Sequence, residues 1–194
     1  MELHKDINTF YASGRAEWRK WLSENWDKEK PVFLIIYKKE SGIPSITYDE
    51  AVDEALCFGW VDSKVNKRDE KSWYQYFTKR KPKSNWSKIN KNKVERLIKE
   101  NLMSAPGLVM VEHAIKTGTW TALDDVENLV LPKELIIELE KNPIAFQHWE
   151  KFPGSAKKGI LQWISTAKKM ETKLERIRKT IAMAAENKRA FFET

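Results

Sequence analysis

The chain has 194 residues and a net charge of +7, with nine tryptophans, three histidines and one cysteine. At 41% apolar and 32% charged residues it reads as globular rather than disordered, and the length suits one domain or two small ones. A lone cysteine excludes an intramolecular disulfide framework, and no apolar run approaches the roughly 18 residues of a membrane helix.

In chain order, the opening residues Met1 to Asp6 lack the basic and apolar regions of a signal peptide, which points to a cytoplasmic protein. Phe10 to Asn25 is expected to be helical, with Phe10, Ala12, Trp18, Trp21 and Leu22 as its apolar stripe and an interruption at Ser13-Gly14. Pro31 opens Val32 to Tyr37, a continuous apolar run rich in β-branched and aromatic residues, which predicts a buried strand. Thr47 and Glu50 have the spacing of a capping box, so a helix begins there, and Gly59 stands where a left-handed C-terminal cap is wanted. Trp60 to Val65 and Trp73 to Thr78 predict a hairpin around the charged tip Asn66 to Lys71, for a sheet of three or four strands.

From Ser84 onward the pattern is helical. Ser84 or Ser87 can cap a helix reaching about Leu102; Pro106 sits in the first turn of the next, which Gly118 stops. Pro132 and Pro143 each open another, the second capped by Asn142. Ile160, Ile164, Ala167, Met170, Leu174, Ile177, Ile181 and Ala184 form one seam, predicting a long terminal helix that Ser155 caps and that bends near Thr166. The whole is therefore expected to be α+β: a small antiparallel or mixed sheet packed by helices, then a helical C-terminal module. The acidic stretch around residues 118–131 marks the boundary, giving a mixed α/β part over 1–125 and a helical module over 126–194.

Charge alternates in blocks: −4 over residues 1–63, +10 over 64–99, −5 over 100–155 and +5 over 156–187. Such blocks either neutralise one another in the fold or face an anionic partner. The scattered histidines His4, His113 and His148 offer no metal-ligand spacing, so no metal is expected. No glycine loop or dinucleotide fingerprint asks for a cofactor either. Cys57 sits among apolar residues near a helix C-terminus, where a thiol pKa rises, so it reads as structural.

The informative stretch runs from Trp60 to Asn90. Arg80 and Lys81 precede a helix start carrying Ser84 and Ser87, and Asn90 interrupts the apolar stripe of that helix. Basic side chains, hydroxyls and free helix amides together suit a small anion. In this reading Arg80, Lys81, Ser84, Ser87 and Asn90 line the site, Trp60 and Trp86 wall it, and Asp62 orients Arg80. The same groups could instead be structural, with the serines capping and Arg80 paired to Asp62 or Glu54. Two alternatives stand beside it. The basic block interleaved with Trp73, Tyr74, Tyr76, Phe77 and Trp86 could bind nucleic acid. An enzyme would need Asp62 or Glu54 in a concave pocket with a raised pKa, although Glu50 and Glu54 at helical spacing also suit a solvated face.

Three blocks resemble the YdeI/OmpD-associated, or bacteriocin-protection, family: Thr47 to Asp62, Phe77 to Asn90, and Ala167 to Ile177. The likeness runs from about Phe10 to Asn187, with Lys79 where proline is expected and Lys173 in place of an arginine. The resemblance implies a bacterial protein linked to resistance against bacteriocins or cationic antimicrobial peptides and to envelope stress, with no established reaction. Nothing in the sequence sets the oligomeric state.

Overall fold

The computed structural model describes residues 2–28 and 30–190. It divides into two compact units, Met1–Thr121 and Ala122–Thr194.

The first unit is built on a five-stranded mixed sheet in the order β1-β2-β3-β5-β4. Its strands are β1 (Leu3–His4), β2 (Ile7–Tyr11), β3 (Val32–Tyr37), β4 (Trp60–Lys67) and β5 (Ser72–Lys79). Strands β2 and β3 pair in parallel, with Phe10 opposite Leu34, while the other pairs are antiparallel. A parallel pair needs a crossover, and helix α1 (Arg15–Asn25) supplies it. Phe10 thus lies in a strand and not in the helix expected over residues 10–25. Gly14, extended at the N-cap of α1, separates the two elements.

Alternation along β3 assigns the two faces. Val32, Leu34 and Ile36 enter the main core, whereas Phe33 and Ile35 pack with Tyr74 on the other side. The main core holds a chain of aromatic rings: Trp18 stacks on Trp21 at 5.0 Å, and Trp21 meets Trp60 edge-on at 5.6 Å.

Helix α2 (Tyr48–Cys57) starts at the Thr47/Glu50 capping box. Every residue of it from Ala51 to Cys57 is buried, including Asp53 and Glu54. Glu54 therefore does not sit on a solvated face. Arg15 and Arg19 neutralise Glu54, the latter at 2.7 Å, and Lys93 (2.8 Å) and Arg96 neutralise Asp53. Part of the charge alternation thus closes internally, since the partners of Asp53 lie in the +10 block. They sit on helix α3 (Lys88–Lys99), which Ser87 caps by accepting from the Asn90 amide. Helix α4 (Ala105–Thr117) follows, and its Gly107 lies directly on the last turn of α2. A Cβ there would stand 2.2 Å from the Cys57 carbonyl oxygen.

The second unit is helical: α5 (Asp124–Glu127), α6 (Lys133–Glu140), α7 (Pro143–Lys151), α8 (Gly154–Ser165) and α9 (Met170–Ala185). Leu135, Leu139, Trp149, Ile160, Ile164 and Ile177 form its core. Asn142 caps α7 as its position suggested. The expected long terminal helix is two helices, separated at residues 166–169, with Lys169 extended at the N-cap of α9. Ser155 lies inside the first turn of α8 and does not cap it. The Arg176 guanidinium secures the corner by donating to the Trp163 carbonyl and, at 3.0 Å, to Thr166 Oγ1. One apolar seam divided this way lets Ile160, Ile164 and Ile177 all enter a single core, which an unbroken rod cannot do in so small a unit. Among the described residues no helix is long and apolar enough to cross a membrane.

Candidate functional site

Strand β5 ends at Lys79, and the Arg80 amide donates to the Gly59 carbonyl at 2.9 Å, pinning the start of the following loop. Gly59 adopts φ +74°, the left-handed turn that ends α2 and that a side chain would strain. A turn from Lys81 to Ser84 folds the loop back, and Trp86 plugs its far end into the core.

Arg80 is held inside this loop and is only 4% exposed. Its Nη1 donates to Ser84 Oγ at 3.1 Å and to the Asn85 carbonyl at 3.0 Å, and its guanidinium carbon lies 3.8 Å from the Trp86 ring centroid. Its Nε is buried without a hydrogen-bond partner. Among the described residues no carboxylate lies in ion-pair contact with Arg80; Glu54 is held by Arg15 and Arg19 instead. Burial pushes the Arg80 pKa down to about 10, opposed by the more distant charge of Asp62. Arg80 therefore remains a cation at neutral pH, buried on an aromatic face with no carboxylate of the described residues in ion-pair contact.

Asp62 does not orient Arg80 by direct contact. Its Oδ2 accepts from the Tyr48 hydroxyl at 2.7 Å and from Gln75 Nε2 at 3.4 Å. Burial, and then the bond to Asp62, push the Tyr48 pKa up to about 12. Trp60 is fully buried, with its Nε1 donating to the Trp26 carbonyl, so it belongs to the core and cannot wall a ligand site. Trp86 is equally buried, a core residue that also forms the platform under Arg80. Ser84 is occupied by Arg80 and by the Lys81 carbonyl; Ser87 and Asn90 form the first turn of α3.

Beside the loop lies a cavity of about 400 Å³ lined by Thr78, Lys79, Arg80, Lys81, Pro82 and Met110. Of the residues singled out in the sequence it holds Arg80 and Lys81, while Lys79 and Met110 were missed. Lys79 carried a signal, as the first of three consecutive cations. Met110 carried none, because α4 brings it from thirty positions away.

Packing encloses several of the remaining candidates to different degrees. Cys57 is buried, and burial followed by the charge of Glu54 pushes its thiol up to about 11. Of the aromatics in the basic block, Tyr74, Phe77 and Trp86 are buried, and Trp73 and Tyr76 are half-buried. Among the described residues no three His, Cys, Asp or Glu side chains are grouped to hold a metal ion.

Two family models match the chain. One, described as a domain of unknown function (DUF8412), covers residues 10–110, just over half of the sequence. The other, described as "Bacteriocin-protection, YdeI or OmpD-Associated", covers residues 128–187. The second match contains the Ala167 to Ile177 block, whereas the Thr47 to Asp62 and Phe77 to Asn90 blocks fall within the first. No curated protein and no solved structure matches.

Proposed function

The chain belongs to the DUF8412 domain family and carries a bacteriocin-protection, YdeI or OmpD-associated segment after that domain, and from this premise we propose that it is a cytoplasmic, resistance-associated protein that binds a small anion. One observation carries the reading: a buried arginine with no ion-paired carboxylate among the described residues lines a cavity whose neighbouring cations are Lys79 and Lys81. A buried guanidinium without a counter-ion is costly to keep, and a bound anion offsets that cost. In this reading Arg80 and Lys81 contact the ligand, while Ser84 and Trp86 position Arg80 and Ser87 and Asn90 set the start of α3 behind it.

Direct trapping of a cationic peptide fits poorly with a chain of net charge +7, because like charges repel. Protection is therefore indirect and proceeds through the anion. We assign the roles by part, the mixed part over residues 1–125 binding the anion and the helical module over 126–194 carrying the resistance-associated segment, which contains the match over residues 128–187.

Calorimetric titration of inorganic phosphate into the full chain tests the reading. Saturable binding should weaken about 10- to 100-fold in Arg80→Met, the value of one charge-assisted contact of about 1.5–3 kcal/mol. Absence of binding would overturn it. Tight binding of a single-stranded oligonucleotide that collapses between about 50 and 200 mM salt would instead favour a nucleic-acid partner.

A further inference from the structure

A second cavity of about 390 Å³ adjoins the cationic one, and the two share Lys79 and Met110 as lining residues. Its walls are apolar, made by Trp26, Phe58, Pro106, Val109 and Met110. Two of them stay in reach of solvent: Val109 is 60% exposed and Trp26 is 39% exposed. Lys79 lies between the two regions, with its Nζ 5.9 Å from the Trp26 ring centroid.

The groove has a defined floor. At Gly59 an added Cβ would stand 2.8 Å from Met110 Cγ and 3.3 Å from the Pro106 carbonyl oxygen, so the end of α2 and the start of α4 approach as closely as glycine allows. The apolar half therefore rests on a fixed junction of two helices. Its surface is oily at one end and cationic at the other.

We propose that the two cavities form one site for a carboxylate carrying an apolar chain, its head at Arg80 and Lys81 and its chain along Phe58, Met110 and Val109. The proposal rests on the anion-site reading and adds the ligand's second half. Charge complementarity orients the ligand: among the described residues Arg80 and Lys81 line the first cavity alone, and Lys79 stands where the two cavities meet. The buried guanidinium of Arg80, with its Nε unpaired and no carboxylate of the described residues in ion-pair contact, marks this as the end for a negative group. The apolar end discriminates by length, because each methylene it covers adds about 0.8 kcal/mol when fully buried.

The test is a calorimetric comparison of octanoate, acetate, octanol and inorganic phosphate on the full chain. Octanoate should bind more than about tenfold tighter than acetate, which two well-covered methylenes already provide. Val109→Asn, at an exposed position that the fold does not depend on, should remove about fivefold of that advantage and leave phosphate binding within twofold. Phosphate binding with octanoate no tighter than acetate would overturn the chain-binding half and leave the anion site standing. Octanol binding as tightly as octanoate would overturn the role of the cationic end. Failure of both phosphate and octanoate would remove the two readings together.

Discussion

The guanidinium of Arg80 lies 3.8 Å above the ring of Trp86, and both residues are almost entirely buried. Six positions apart in sequence, they are brought together because the Lys81 to Ser84 turn reverses the chain between them. The stack fixes the cation at the rim of a cavity where no carboxylate of the described residues neutralises it.

That geometry separates function from stability. Arg80→Met removes a buried charge that burial already disfavours, and keeps an apolar chain on Trp86. The variant should stay within about 1.5 kcal/mol of the parent in urea unfolding, since replacing buried charges by apolar groups of like volume is often neutral. Anion binding should still fall by at least tenfold. A collapse in stability with no change in binding would mark Arg80 as structural.

Asp53 makes the opposite prediction. Burial disfavours its charge, yet Lys93 and Arg96 outweigh burial and hold the carboxyl below its ordinary range. A lowered carboxylate pKa stabilises the fold above the unfolded value of about 3.9 and loses that stabilisation as pH falls toward the folded value. Asp53→Asn should cost about 2–3 kcal/mol at pH 7, less than a fully buried pair because Arg96 is partly in water. The cost should be level from pH 6 to 8 and shrink below about pH 4, as read by denaturant unfolding.

Gly107 sits where the fold leaves no room. An alanine Cβ would meet the Cys57 carbonyl oxygen at 2.2 Å, a backbone atom that cannot rotate away. Gly107→Ala should destabilise the first unit by about 3 kcal/mol, despite alanine's better helix propensity. Gly154→Ala, with open space around its Cβ position, should cost nothing or stabilise slightly.

Cys57 should be inert in the native protein. With its thiol buried and raised to about 11, a disulfide reagent at pH 8 should react only at the rate of unfolding and accelerate in denaturant. Rapid native reaction would contradict the packing around α2.

What the sequence discloses here is local. The Thr47/Glu50 capping box, the strand Val32 to Tyr37, the hairpin and the Asn142 cap are each set by neighbours within a few positions, and each stands in the structure. The misses are non-local. Phe10 fits a helical stripe as well as a strand, and only its pairing opposite Leu34 decides between them. The seam from Ile160 to Ala184 fits one helix or two, and the corner held by Arg176 is invisible to periodicity. Glu54 suits a solvated face until Arg15 and Arg19, 39 and 35 positions away, close over it. At the candidate site, three neighbouring cations are plain in the sequence, but the burial of Arg80 depends on Trp86, and the apolar wall depends on α4.

The most direct measurement is an amide, indole and guanidinium NMR titration of the full chain with inorganic phosphate. A built anion site gives saturable, co-varying shifts of the Arg80 Nε–H and the Trp86 indole N–H, with the Trp149 indole of the second unit unmoved. Shifts that never saturate, or that spread over exposed lysines while Arg80 and Trp86 stay still, would contradict a built anion site.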